Sequence, residues 1–307
     1  MNPQVFNGSA RYPADARPVL SIGNFDGVHL GHRALLERLV ARAEERGAPP
    51  CVYTFDPPPR RVLQPDRCPP RILPLAEKVR LLGEVGVAHV VVERFTLEFS
   101  ERPASWFAEE ILGRRLRPVA MVVGYDFRFG KGREGDARAL TALMPWLPVE
   151  TLDAVQLGAH IASSSRIREA VAEGRVARAA ELLGRPHAVR GEVVHGDARG
   201  RTIGFPTANL ETHDELLPPP GVYAVRAALL DGRAVDGVAN LGVRPTFGGH
   251  RFSVEVHLFD FNEDLYGQPM TVGFIERLRG ERRFPGVDAL VAQIREDAAR
   301  ARTILSA

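Results

Sequence analysis

The chain has 307 residues, 45% of them hydrophobic and 25% charged, with a formal net charge of +2 at pH 7. These values describe ordinary globular composition with room for about two domains, and they exclude a disordered or fibrous chain. The two cysteines, Cys51 and Cys68, have no CxxC spacing and no histidine beside them, which excludes a zinc ribbon and a disulfide framework.

The opening "MNPQVFNGSARYPADARP" lacks the apolar core of a secretory signal, so a cytoplasmic protein is expected. No stretch approaches the roughly twenty apolar residues of a membrane span. Of the 40 basic residues only Lys78 and Lys131 are lysines. With so small a net charge and no basic cluster interleaved with aromatics, neither a nucleic-acid nor a membrane partner is expected.

From residue 18 to about 184, apolar runs alternate with helical periodicity. "PVLSIG" leads into "HRALLERLVARAEERG", where Leu35, Leu36, Leu39, Val40 and Ala43 share one face and Gly47 stands as the C-terminal stop. "CVYTF" precedes "LAEKVRLLGEVG", "HVVVERF" precedes "ASWFAEEILG", and "VAMVVG" precedes "DARALTALMPWL". A further run near 149–155 leads to "SSSRIREAVAEGRVARAAELLG". Strands apolar on both faces and separated by helices predict a parallel sheet covered on both sides, a doubly wound α/β domain.

After "GRP" at 184–186 the rhythm changes. "VRGEVVHG", "GVYAVRAALL", "RAVDGVANLG", "FSVEVHLFDF" and "MTVGFIERL" are strand-like and follow one another without helices. Asp231-Gly232 between two of them is a strong hairpin signal. The pattern predicts a small antiparallel β-barrel. A final helix over 287–303 would present Leu290, Val291, Ile294 and Ala298 to it. The expected domains are therefore 1–185 and 186–307.

"GNFDGVHLGH" follows the first predicted strand. In an open parallel sheet, ligands bind beyond the carboxyl ends of the strands, where helix N-termini offer unpaired N–H groups. His29 and His32, three apart, would project from one face of the first helical turn. Two imidazoles and a helix dipole suit a phosphate chain gaining negative charge. In the second half, "GDARGRTIGFPTANL" lacks the GxxxxGK[ST] spacing of a Walker loop. Its glycines can still turn backbone N–H groups toward phosphates, while Thr207 and Asn209 offer hard oxygen ligands suited to Mg²⁺. In "SVEVHLFDF", Ser253, Glu255 and His257 share one strand face. Either Glu255 or His257 could accept a proton from an alcohol nucleophile.

His29, Leu30, Gly31 and His32 resemble the HxGH motif of the nucleotidyltransferase superfamily. The longer strings "GNFDGVHLGH", "TFDPPPR", "VVGYDFRFGKGREGD" and "SSSRIREAV", followed by "GFPTANL", resemble the bacterial bifunctional riboflavin kinase and FAD synthetase over nearly the whole chain. One departure is Pro58 in "DPPPR", where the family often has histidine. The resemblance implies two ATP-dependent reactions, riboflavin to FMN and FMN to FAD, with Mg²⁺ in both. Riboflavin, ATP, FMN and FAD would be the ligands.

It further implies that His29 and His32, with Gly23, Asn24, Phe25, Asp26, Gly31 and Asp126, bind ATP for adenylyl transfer. Ser163, Ser164, Ser165 and Arg166 would grip the phosphates from the other side. Asp56, Pro57, Phe127 and Arg277 would serve the flavin. In the kinase half, Gly196, Gly200, Arg201, Gly204 and Pro206 would hold ATP, Thr207 and Asn209 its Mg²⁺, and Glu255 would be the catalytic base. Two other readings are open: a chain with only one live activity, more plausibly the kinase, and a flavin-binding regulator with degenerate sites.

Overall fold

The structure, a computed structural model, describes residues 2–157, 160–196, 200, 203–212, 215–246 and 249–306. It divides into two compact units, residues 1–163 and 164–307.

The first unit is built on a six-stranded, wholly parallel sheet of β1 (Gln4–Asn7), β2 (Val19–Ile22), β3 (Pro50–Phe55), β4 (His89–Glu93), β5 (Ala120–Gly124) and β6 (Val149–Leu152). Its helices are α1 (Leu30–Arg46), α2 (Pro59–Leu63), α3 (Leu75–Glu84), α4 (Leu97–Ser100), α5 (Ala104–Trp106), which continues as a π-wound stretch Phe107–Leu116, and α6 (Ala137–Leu143). The spatial order is β1-β4-β3-β2-β5-β6. Strand order therefore reverses between β2 and β5, the topological switch point at which open α/β sheets bind ligands. A short antiparallel pair, β7 (Gln156–Leu157) and β8 (His160–Ile161), closes the unit.

All four residues of β2 are buried, as a strand covered by helices on both faces requires. In α1 the burial falls on Leu35, Leu36, Leu39 and Ala43, and Gly47 caps it in the left-handed region at φ 58°. Val40, expected on that face, is half-buried. β1 and α2 have no counterpart in the sequence reading. β1 carries only four residues, with Phe6 alone buried, and is an edge strand paired to β4.

The second unit begins with α7 (Ser164–Ala172) and α8 (Val176–Leu183). The sequence shows one helical run here, but Gly174 at φ 74° breaks it. Six strands then close an antiparallel barrel: β9 (His187–Val194), β10 (Ala208–Thr212), β11 (Gly221–Ala228), β12 (Ala234–Thr246), β13 (Gly249–Leu258) and β14 (Pro269–Arg279), in the order β10-β13-β12-β11-β14-β9. Tyr223, Val225, Val254, Val256, Val272 and Phe274 fill its interior. Residues of opposite parity on β11, Val222 and Ala224, pack outward with Leu278, Ala301 and Leu305. That two-sided burial explains the unbroken apolar run "GVYAV", after which Arg226 is exposed. The Asp231-Gly232 turn is closed by Gly232 N–H donating to Leu229 O at 3.1 Å and Leu229 N–H donating to Arg233 O at 2.9 Å.

The final helix, α9 (Val287–Leu305), docks through its C-terminal half. Ala298, Ala301, Ile304 and Leu305 make the contact, whereas Leu290, Val291 and Ile294, expected to lead it, are half-buried. Arg279 pairs with the buried Asp297 at 2.9 Å and pins the helix at that point. The break between units falls before the change of rhythm near residue 185, because Val176 of α8 belongs to the barrel's own core.

The loop after β5 tests how tightly backbone shape is specified. Gly130 has φ 76° and ψ 174°, and a Cβ there would lie 2.7 Å from the backbone nitrogen of Ala104. Gly132 is left-handed at φ 61°, with open space around it. Gly130→Ala should cost about 3 kcal/mol and Gly132→Ala about 1 kcal/mol, read from urea unfolding midpoints. Equal losses would show that the loop relaxes around Gly130.

Candidate active sites

In a parallel sheet all the strand-to-helix loops leave from one edge. The loops after β3, β2 and β5 are neighbours there and carry "DPPP", "GNFDGVHLGH" and "GYDFRFG". The central turn is held in an uncommon backbone shape: Phe25, Gly27 and Val28 have φ of 48°, 88° and 39°. The Asp26 carboxylate accepts the backbone N–H groups of Ile72 at 3.1 Å and Leu73 at 3.3 Å. The buried Lys78 donates through Nζ to Asn24 O at 3.0 Å and to Thr54 Oγ1 at 3.3 Å.

His29 is the N-cap of α1, and its Nδ1 accepts the His32 backbone N–H at 3.3 Å. That acceptor role leaves the proton of the neutral ring on Nε2. The two rings stack with centroids 3.6 Å apart, and Phe25 meets His32 edge-on at 5.2 Å. His32 Nδ1 is shielded from solvent and finds no partner among the described residues. Burial first, then the neighbouring His29 and Lys78, lowers the His32 pKa well below its ordinary 6.5. A Cβ on Gly31 would come within 3.3 Å of Ala162 O. The chain entering the serine run thus passes directly against the HxGH turn. Gly23 faces the Phe25 ring at 3.1 Å by the same construction.

The remaining predicted residues of this half are distributed as follows. Ser163 ends the first unit, and Ser164, Ser165 and Arg166 form the first turn of α7. Asp56 pairs with Arg71 at 2.9 Å, and Pro57 leads into α2, whose N-cap is Pro58. Asp126 is exposed. Phe127 belongs to the sheet's core and stacks on Phe129 with centroids 5.4 Å apart.

On the barrel the polar side chains lie outside and the packing inside. Val254, Val256 and Leu258 point into the core, and Glu255 and His257 take the outer face. Asn209 of β10 is the direct cross-strand partner of Glu255. Gly196 lies against the Asn209 amide so closely that a Cβ would overlap it. Gly200 closes a tight turn, accepting from Phe205 N–H at 2.8 Å, with Gly204 at φ 87°. The carbonyl of Pro206 accepts from His257 Nδ1 at 2.8 Å. The segment carrying Gly200, Gly204, Pro206 and Thr207 is therefore moored beside Asn209 and Glu255. Arg201 lies outside the described residues. Arg277 sits elsewhere, with its guanidinium 6.0 Å from the Tyr223 ring centroid, Nη2 donating to Pro220 O at 3.0 Å and Nε without a partner among the described residues.

Comparison with known proteins agrees with this division. Residues 12–166 match the FAD synthetase family and residues 183–305 the riboflavin kinase family. The bifunctional riboflavin kinase/FMN adenylyltransferase of Escherichia coli K12 is 43% identical over 286 residues, 92% of this chain and 91% of that one. The chain belongs to the bifunctional riboflavin kinase/FMN adenylyltransferase family. The Bacillus subtilis member is 38% identical over 292 residues, 92% of this chain and 90% of its own. A Streptococcus pneumoniae crystal structure titled as a macrolide-efflux protein superposes with a TM-score of 0.90 at 33% identity. It covers 98% of this chain and 99% of its own. Among the described residues of this family member no helix is long and apolar enough to cross a membrane.

The structure adds Lys78, Thr54 and Arg71, which sequence reasoning passed over. Lys78 had a legible signal: it occupies the apolar stripe of α3 with Leu81 and Leu82, where a solvated lysine has no place. Thr54 and Arg71 carried none.

The His32 environment predicts its titration. A ring whose pKa is depressed stays neutral as pH falls through 6.5 while the unfolded chain takes up a proton, so its contribution to stability declines below pH 6.5. In an NMR titration the His32 ring signals should show no inflection between pH 6 and 8. An inflection near 6.5 would mean that the ring is solvated.

Proposed function

We propose that this chain phosphorylates riboflavin to FMN and then adenylates FMN to FAD, using ATP in both steps, with the two chemistries in 186–307 and 1–185. The observation that carries the reading is the presence of two separate polar clusters, each built for one chemistry: the HxGH turn at the sheet's switch point and the Asn209–Glu255 pair on the barrel. A flavin-binding regulator would have no need of both. ATP and flavin as substrates favour a cytoplasmic location.

In adenylyl transfer an FMN phosphate oxygen attacks the α-phosphorus of ATP, and pyrophosphate leaves. The nucleophile is already an anion, so positioning and charge stabilisation carry the step. His29, donating through Nε2, and His32 would bind the departing phosphates at the N-terminus of α1. Gly23, Asn24, Phe25, Asp26 and Gly31 shape that turn, Ser163, Ser164, Ser165 and Arg166 would also bind the phosphates, and Asp126 would serve the adenosine. Asp56 and Pro57 would serve the flavin.

In the kinase half the riboflavin hydroxyl attacks the γ-phosphorus, ADP leaves, and the hydroxyl proton passes to Glu255. Gly196, Gly200, Arg201, Gly204 and Pro206 would cradle the nucleotide. Thr207 and Asn209 are uncharged oxygen donors, and among the described residues no three His, Cys, Asp or Glu gather to hold a metal. Such a donor set fits Mg²⁺ that arrives on the nucleotide's phosphates, where it would neutralise the charge of the transferring group. His257 is the second candidate base, because its Nδ1 contact with Pro206 leaves Nε2 as an acceptor in the neutral ring.

The test is a double dissociation, following FMN and FAD separately. His29→Ala or His32→Ala should lower FAD formation about a hundredfold to a thousandfold and leave riboflavin phosphorylation near normal. Glu255→Gln should lower kinase turnover about a hundredfold to ten-thousandfold while supplied FMN still becomes FAD. Full kinase turnover in Glu255→Gln, with loss in His257→Ala, would transfer the role of base to the histidine.

Fragments test the division. A fragment of 186–307 should phosphorylate riboflavin but melt lower than 164–307, because it lacks Val176, which the barrel core contains. Equal melting temperatures would mean that α8 contributes nothing to the barrel.

A further inference from the structure

Lys78 is buried, only 8% exposed, in a chain whose other basic residues, apart from Lys131, are all arginines. Its ammonium meets two elements at once. It donates to Asn24 O at 3.0 Å, beneath the turn that leads to the two histidines, and to Thr54 Oγ1 at 3.3 Å, two residues before Asp56. Thr54 Oγ1 is itself only 3.4 Å from Asn24 O, closing a triangle of three polar groups. The segment leading to Lys78 repeats the pattern: Ile72 and Leu73 donate to Asp26, and Arg71 pairs with Asp56. Residues 71–78 therefore bracket the nucleotide turn and the "DPPP" loop together.

We propose that Lys78 is a positioning residue for FMN adenylylation, the shared anchor that holds the ATP-binding turn and the flavin-binding loop at a fixed separation. This rests on the reading of the HxGH turn given above. A nucleophilic oxygen must approach the α-phosphorus in line, so the two substrates' loops need one common reference point. Lysine suits the place, because a compact ammonium on an unbranched stem satisfies two acceptors from a buried position. Burial pushes the Lys78 pKa down to about 8, and Asp26 and Asp56 oppose that fall while Arg71 adds to it. At neutral pH the group is still a charged donor, and hydrogen bonds from charged groups are the stronger kind.

The experiment compares Lys78→Met, Thr54→Val and His32→Ala in the full chain. It measures kcat and KM for ATP and for FMN, riboflavin kinase activity, and thermal unfolding. Lys78→Met should lower kcat/KM for adenylylation roughly tenfold to a hundredfold, the equivalent of one lost charged hydrogen bond, with KM raised for both substrates. Thr54→Val should move both KM values in the same direction by a smaller factor, and kinase activity should be unchanged in each.

A KM change for one substrate alone overturns the shared anchor. So does a fall in kcat that merely tracks the unfolded fraction. Should Lys78→Met unfold, Thr54→Val decides: unchanged KM values overturn the proposal. His32→Ala separates the two levels. Normal FAD synthesis in that variant sinks the reading of the site itself, whereas loss there with unaffected Lys78→Met and Thr54→Val sinks the anchor alone.

Discussion

The first unit depends on a turn that the chain would not adopt by itself. Between β2 and α1, Phe25 and Val28 carry side chains at positive φ, a conformation that costs each about 1–2 kcal/mol. The turn is held from both sides of its backbone. Phe25 and Val28 are each 2% exposed, so their burial offsets the strain, while Asp26 and Lys78 fasten the loop to the segment before α3 and to α3 itself. Its outcome is the placing of two stacked imidazoles at a helix N-terminus beside the switch point.

The barrel solves a different problem. A closed sheet has no free edge, and with its interior filled by apolar side chains its polar groups are placed on the outer surface. The outer face is shared between two uses. β11 and β14 give theirs to α9, while β10 and β13 give theirs to Asn209, Glu255 and His257. The same alternation of side chains that builds the core thus sets a carboxylate opposite an amide, rigidly, without a loop.

In the proposed function the two clusters match their nucleophiles. A phosphate oxygen needs no base, and the HxGH turn offers donors and a helix dipole with no carboxylate among its four motif residues. An alcohol does need one, and the barrel face offers Glu255.

Much of this was legible in the order of residues alone. Two-sided apolar runs alternating with helical stripes specify a parallel sheet, because no other packing buries them, and the strand series after residue 186 specifies a barrel for the same reason. The motif strings pointed to the chemistry through their resemblance to a known family, which several long strings in one order carry far more specifically than HxGH alone. Tertiary structure decided what depends on distant partners. β1 and β10 are too short to show a period, and become strands only because β4, and β9 with β13, offer them edges. Phe127 looked like a ligand-facing aromatic and is a core ring, because Phe129 and the sheet take it inward. The last helix docks by its C-terminal half, where Arg279 meets Asp297. Lys78 acquires its place from Asn24 and Thr54, residues 54 and 24 positions away in the chain. Local pattern determines which face of an element is buried, and only the assembled fold determines which buried polar groups find one another.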